Sequence, residues 1–250
     1  MKVKVLETAQ DVGREAAKQA AAKLNEVISE KGSARLLLST GASQFTFFEN
    51  FVKEDVDWSK VEMFHLDEYV GISKEHPASF NKYLTDRFIS VVNPGKYTLI
   101  NGEDDPEKTI EKLTALLSER KIDLGMIGIG ENGHIAFNDP PADFEDQRFY
   151  KVVKLNDTCI QQQLREGWFE NEAAAFKYAI SMTCQKIMDC ETIISVVPYA
   201  VKAQAVRDTL TLDRTENVPA TLMKEHKDVT LYCDKDSASL TDAAVLAKFA

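Results

Sequence analysis

The chain has 250 residues and a net charge of −10, with 44% hydrophobic and 28% charged residues, the make-up of an ordinary globular protein. Acidity without a basic patch argues against nucleic acid as a partner, and any anionic substrate has to be met by local donors rather than by the global field. No apolar run approaches membrane-spanning length and Met1 to Leu6 reads as a strand rather than a signal peptide. Cys159, Cys184, Cys190 and Cys233 form no CxxC pair, so the expectation is a cytoplasmic protein with free thiols and neither a zinc site nor a disulfide framework.

In chain order, Val3 and Val5 alternate with lysines as in a strand, and Ala9 to Glu30 has the 3.6-residue period of a helix that stops at Gly32. Ala34 to Leu38 is an apolar run ending in Ser39-Thr40-Gly41-Ala42-Ser43, where a helix carrying Phe45, Phe47, Phe48 and Phe51 begins. Val61 to Leu66 is the next strand and ends at Asp67-Glu68-Tyr69-Val70-Gly71; after His76-Pro77 a helix is expected over Ala78 to Ile89. Tyr97 to Ile100 reads as a short strand and Pro106 to Arg120 as an amphipathic helix. Ile122 to Ile127 is a buried strand that runs into the glycine-rich stretch from Gly128 to Pro140. Beyond it, strands are expected at Lys151 to Leu155, Tyr178 to Met182, Thr192 to Val197 and Val229 to Tyr232. Helices are expected at Thr158 to Glu166 (stopped by Gly167), Cys184 to Asp189, Ala200 to Leu210 and Ser237 to Phe249.

Strands alternate with helices and several strands are apolar throughout. That pattern predicts an α/β fold, a doubly wound, mostly parallel Rossmann-like sheet with helices on both faces. With no repeat, low-complexity segment or linker, residues 1–250 are expected to form a single domain.

Ligands of such folds sit at the carboxyl ends of the strands, and three strand ends carry chemistry here. Ser39, Thr40, Gly41, Ala42 and Ser43 are small residues at a helix start, where free N–H groups and the helix dipole favour an anion. They lack the lysine and spacing of a Walker loop, and no GxGxxG opens the first helix. Asp67 and Glu68 are paired carboxylates that fit a base, metal ligands or solvated charge; the absence of further ligands at a recognisable spacing argues against a metal. The loop Gly128-Ile129-Gly130-Glu131-Asn132-Gly133-His134-Ile135-Ala136-Phe137-Asn138-Asp139-Pro140 presents an imidazole and, five residues on, a carboxylate. A carboxylate near an imidazole fixes its tautomer and favours proton shuttling, and Asn132 can position but not ionise. There is no serine nucleophile elbow and no Cys–His pair. An anion cradle, a carboxylate base and a His–carboxylate relay fit proton movement on a small phosphorylated metabolite.

These stretches resemble the glucosamine-6-phosphate deaminase family. Phe64-His65-Leu66-Asp67-Glu68-Tyr69-Val70-Gly71 with Glu75-His76-Pro77 resembles the family's F-N-M-D-E-Y-x-G…H-P segment. The loop from Gly128 to Pro140 resembles its G-x-G-x-[DN]-G-H-I-[AG]-F-N-E-P, and Leu38 to Ser43 its L-x-T-G-[GS]-[ST] phosphate loop. Val197-Pro198 with Lys202-Ala203 is similar to the segment holding its phosphate-binding lysine. The resemblance implies conversion of an amino-sugar 6-phosphate and water to a ketose 6-phosphate and ammonia, without metal or organic cofactor. It implies that His134 opens the sugar ring, that Asp67 carries a proton between C2 and C1, and that Asp139 supports His134. It further implies that Thr40, Gly41, Ser43 and Lys202 hold the phosphate, with Arg165 matching the family's phosphate-binding arginine only after a one-residue shift. Four departures stand out: Asp139 where the family has Glu, Asn132 where some members have Asp, His65 where Asn is usual, and no recognisable activator-site residues after Pro140.

The resemblance therefore implies a small-molecule amino-sugar phosphate as partner, glucosamine 6-phosphate foremost, with the galactosamine epimer as the alternative. A related 6-phosphogluconolactonase-type hydrolase and a non-catalytic sugar-phosphate-binding protein are the competing classes. Phe137-Asn138-Asp139-Pro140 and the intact Asp67-Glu68-Tyr69 weigh against the hydrolase. No DNA-binding segment accompanies the domain in the sequence, which weighs against a regulator. Homo-oligomerisation is left open.

Overall fold

The computed structural model describes all residues except 166, 168, 170, 172–174 and 250, and the side chains of 158, 159, 162 and 163. Among the described residues, ten strands run in chain order: β1 Lys2–Leu6, β2 Ala34–Leu38, β3 Val61–His65, β4 Asp67–Tyr69, β5 Lys96–Tyr97, β6 Leu124–Ile127, β7 Tyr150–Lys154, β8 Tyr178–Met182, β9 Thr192–Val197 and β10 Val229–Asp234. Seven of them form one sheet in the order β1-β10-β9-β6-β2-β3-β5, and every pairing in it is parallel. The remaining three, β4-β8-β7, form a small antiparallel sheet.

The large sheet is covered on both faces because its central strands are apolar on both. Leu36 and Leu38 of β2 enter one core cluster with Ile194 and Val196 of β9, while Leu37 enters the other with Ile193 and Val197. Successive strand residues point to opposite faces, so a strand buried along its whole length needs helices on each side. Helix α1 (Ala9–Lys31) covers the first face with Ala16, Ala17, Ala20 and Leu24. Its ends are set by local chemistry: Thr8 accepts the Asp11 N–H, and Gly32 closes the last turn in a left-handed conformation. Small residues let α2 (Phe45–Phe51) lie close: a β-carbon on Gly13 would fall 2.4 Å from the Thr46 backbone.

Helix α3 (Phe80–Leu84) passes through a π-helical turn at Thr85–Ile89 into α4 (Ser90–Val92). On the opposite face lie α5 (Pro106–Glu119), α7 (Cys184–Met188) and α8 (Ala203–Thr211), with α6 (Asp157–Arg165) leading out of the small sheet and α9 (Ala243–Leu246) near the end of the chain. The Gly167 N–H returns to the Leu164 carbonyl, consistent with a stop there; Glu166 lies outside the described residues. No helix among the described residues is long and apolar enough to cross a membrane.

Several expected elements change shape. The strand expected over Tyr97 to Ile100 is confined to Lys96–Tyr97, because Ile100 is drawn off the edge by its N–H bond to the His65 ring. The helix expected from Ala78 starts at Phe80, where Ser79 caps it. The helix expected over Ser237 to Phe249 shrinks to Ala243–Leu246 and a 3-10 turn at Ala247–Phe249. Ser237 is engaged instead with Asp234, its N–H on Oδ1 at 2.7 Å and its hydroxyl accepting the Asp234 N–H at 3.1 Å. Such local bonds compete with a helical turn. Asp67–Tyr69 is not the tail of β3 but a strand of the second sheet, which has a direct consequence for the site.

Candidate active site

β2 and β6 are neighbours in the large sheet, but within that sheet the chain continues from β2 to β3 on one side and from β6, by way of the small sheet, to β9 on the other. Their carboxyl ends therefore diverge, the arrangement that opens a ligand crevice in α/β folds. A cleft lies there, lined by Ser39, Thr40, Gly41, Ala42, Ser43, Leu66, Asp67, Phe80, Gly128, Ile129, Gly130, His134, Ala136, Phe137 and Lys202. The cleft gathers three strand ends that are far apart in sequence.

The 39–43 loop turns on Gly41, whose φ of 101° favours glycine, and enters a 3-10 turn at Ala42–Gln44 ahead of α2. The first N–H groups of such a turn have no partner within it and point to an anion. The loop is pinned from behind. Gln44 donates to the Val196 carbonyl at 3.0 Å, and the Tyr83 hydroxyl donates to the Gly41 carbonyl at 2.9 Å. Lys202 is largely buried at the end of the 3-10 turn Ala200–Lys202, after β9.

The second strand end separates two carboxylates that the sequence leaves side by side. Along β4, Asp67 faces the cleft while Glu68 has no exposed surface. Glu68 accepts the Ser79 hydroxyl and the Asn81 N–H at 2.8 Å each and the Tyr69 N–H at 3.0 Å. It thereby caps α3, the helix that presents Phe80 to the cleft. Burial raises the Glu68 carboxyl to about 7 even though these donors pull it down. Burial, and then the charge of Glu68, push the Asp67 carboxyl well above the ordinary carboxylate range. A carboxyl so shifted holds a proton more readily than an ordinary carboxylate, which suits a group that takes up and returns one.

The third strand end is the loop 128–139. His134 Nδ1 lies 2.7 Å from Asn132 Oδ1 and 3.2 Å from Asp139 Oδ1. The Asn132 amide is oriented by its own Nδ2 bond to Asp139, 3.2 Å, and its Oδ1 also accepts the His134 N–H at 3.1 Å. Two acceptor oxygens at Nδ1 fix the proton there and leave Nε2 as the basic nitrogen. The shorter arm of Asp139 still reaches the ring, with Asn132 as the nearer contact. Burial opposes the Asp139 charge, but the hydrogen bond and charge of His134, with the hydrogen bond of Asn132, hold its carboxyl below the usual range. The ring lies directly over Gly130: a β-carbon there would sit 2.1–2.4 Å from the imidazole atoms.

β8 ties the two halves together. Asp67 pairs with Ser181 across the small sheet, and the Ser181 hydroxyl accepts the Phe137 N–H at 3.0 Å. Asn138 donates to the Met182 carbonyl at 2.8 Å and to the Ile135 carbonyl at 2.9 Å. Phe80 and Phe137 stack at 5.8 Å and both pack on Tyr69, forming an aromatic wall on the cleft that Asp67 and His134 also line.

One predicted site residue, Arg165, and one departure from the family pattern, His65, lie outside the cleft. Arg165 does not line the cleft; its side chain is about half exposed and pairs with Glu131, 2.5 Å away. His65 is buried behind the site, where burial lowers it to about 3 and its Nε2 accepts the Ile100 N–H at 2.8 Å. It is a neutral structural histidine, which accounts for its presence without a role in the cleft. The residues that sequence reasoning missed as supports are Glu68, Ser181, Asn138 and Tyr83. Only Glu68 and Asn138 had a visible signal, since both stand inside the two most specific motifs.

Residues 7–232 match the model of the glucosamine-6-phosphate isomerases/6-phosphogluconolactonase family. The chain belongs to this family. It is 34% identical over 213 residues to a glucosamine-6-phosphate deaminase of Streptococcus gordonii, covering 85% of this chain and 89% of that protein. A Streptococcus pneumoniae glucosamine-6-phosphate deaminase is 32% identical over 221 residues, 87% of this chain and 92% of the relative. Among solved structures, a monomeric glucosamine-6-phosphate deaminase superposes with a TM-score of 0.88 at 31% identity, over 96% of this chain and all (100%) of that one. The 6-phosphogluconolactonase of Shewanella baltica superposes at 0.78 with 18% identity over 94% of this chain and 97% of its own, a likeness of fold. The parallel sheet and flanking helices are thus the family's architecture.

Proposed function

We propose that the cleft isomerises and deaminates an amino-sugar 6-phosphate, glucosamine 6-phosphate foremost, taking up water and releasing fructose 6-phosphate and ammonia. The observation that carries this reading is the placement of Asp67 and His134 on one cleft whose other end is the 39–43 loop with Lys202. The deaminase relatives above 30% identity support the same chemistry. Thr40, Gly41, Ser43 and Lys202, with Ser39 and Ala42 completing the loop, hold the phosphate. Fixing this remote group orients the reacting carbons. His134, kept in one tautomer by Asn132 and Asp139, moves the proton that opens the pyranose ring. Asp67 then carries a proton from C2 to C1 through an enolamine-type intermediate, and hydrolysis yields the ketose and ammonia.

The likeness to a monomeric glucosamine-6-phosphate deaminase supports a chain that acts as a monomer. Cys184, Cys190 and Cys233 are buried free thiols, which supports a cytoplasmic location.

Ammonia release by purified protein from glucosamine 6-phosphate, measured beside galactosamine 6-phosphate and a 6-phosphogluconolactone hydrolysis assay, tests the reading. Turnover of glucosamine 6-phosphate that Asp67→Asn abolishes is the expected result. Ammonia from neither epimer sinks the proposal, and lactone hydrolysis alone moves the chain to the other branch of its family.

A further inference from the structure

We infer that Asp234 is a positioning residue for the anion-binding end of the cleft: its buried carboxylate holds Tyr199 in a left-handed backbone conformation, and that conformation aims the turn ending in Lys202. The inference rests on the reading that Lys202 binds the substrate phosphate. Tyr199 has φ 82° and ψ 142°, a region that side chains with a β-carbon rarely enter. Nothing in the type of this residue favours it, since a glycine would serve the turn without penalty. The geometry therefore has to be imposed from outside.

Asp234 does so from the end of β10, which lies beside β9 in the sheet. Its side chain is 2% exposed, and the Tyr199 N–H donates to both carboxylate oxygens, 3.1 Å from Oδ1 and 3.0 Å from Oδ2. The carboxylate is itself fixed, because the Ser237 N–H donates to Oδ1 at 2.7 Å. On the other side, Lys202 closes one turn onto Tyr199, its N–H donating to the Tyr199 carbonyl at 2.9 Å. Tyr199 is thus the hinge between an anchored carboxylate and a cleft-lining lysine. A relaxed φ at Tyr199 would swing the whole Ala200–Lys202 turn. Strained backbone held by its surroundings is a recurring feature of ligand sites.

The test is a rescue experiment with glucosamine 6-phosphate as substrate and inorganic phosphate as competitive inhibitor, with a thermal melt for every variant. Asp234→Ala is expected to raise KM and the phosphate inhibition constant about 10-fold while kcat changes little, the signature of lost binding rather than lost chemistry. Asp234→Asn keeps one acceptor oxygen and should give a smaller rise. Adding Tyr199→Gly to Asp234→Ala should return both constants to within about 3-fold of the parent, because glycine adopts the turn unaided. A merely structural role would not be repaired in this way. Unchanged constants in both Asp234→Ala and Asp234→Asn overturn the inference, as does a folded double variant that keeps the full defect. Lys202→Met separates the two ideas: unchanged KM and phosphate inhibition there refute the phosphate role of Lys202 itself, whatever Asp234 does.

Discussion

On the proposed reading, the working groups at the 39–43 end of the cleft are backbone N–H donors and one lysine, set by the ends of parallel strands. At the Asp67–His134 end they are side chains held by other side chains, and the strand beneath Asp67 belongs to the small antiparallel sheet. Backbone donors tolerate changes of side chain as long as the turn survives. A relay of Nδ1, Oδ1 and Oδ1 within 2.7–3.2 Å does not, because each member fixes the next. The contrast implies that one end supplies affinity and the other rate.

Several variants can break or sharpen that division, taken from the largest expected effect downward. Asp67→Asn should lower kcat about 10³-fold, in the range for a lost acid–base group, with KM nearly unchanged in an ammonia-release assay. An equal rise in KM would show that the two ends are not separable. Gly130→Ala, whose methyl would meet the imidazole at 2.1–2.4 Å, should cost about 10²-fold in kcat by displacing the ring. Phosphate inhibition should survive in it. Lys202→Met should do the reverse, raising KM roughly 10- to 100-fold, the equivalent of a charged hydrogen bond worth about 1.5–3 kcal/mol.

The two buried carboxylates of β4 give a test by pH. The folded chain holds the Glu68 proton more tightly than the unfolded chain does, with its carboxyl raised from 4.5 to about 7 chiefly by burial. Its contribution to stability is therefore complete below the lower value and lost as pH rises through the upper one. Urea titrations should show the parent losing on the order of 3 kcal/mol more than Glu68→Gln between about pH 4.5 and pH 8. In kinetics, Glu68→Gln removes the charge that helps raise Asp67, so the acid limb of the rate profile should move to lower pH. An unmoved limb would reduce Glu68 to a helix cap. Arg165→Ala sits last: if its pairing with Glu131 persists in solution, KM should change by less than about 5-fold, as for other exposed ion pairs. A rise like that of Lys202→Met would instead assign Arg165 to the anion-binding end.

Much of this was legible in the residues. Apolar runs such as Thr192–Val197 and Ala34–Leu38 signal strands buried on both faces, and the chemistry-bearing residues follow them where α/β folds keep their sites. What the chain does not reveal is pairing across long separations. Asp67–Tyr69 is too short for a period of two to be seen, and its partner β8 lies far along the sequence. Without that strand, Asp67 and Glu68 cannot be assigned to opposite faces. His65 looks like a departure from the family until the Ile100 N–H is found on its ring. The Tyr199 turn is equally hidden, because the usual signal for positive φ is glycine and the compensation comes from Asp234 on another strand.

The hydrogen bonds that β8 accepts from Phe137 and Asn138, and its pairing with Asp67, make it a single hinge pin for both groups proposed to move protons. The 39–43 loop has no share in that pin. Loss of the small sheet, through heat or through mutational drift, would therefore leave a protein that still captures sugar phosphates and no longer transforms them. The route from enzyme to sensor in this architecture runs through a few residues of one short strand.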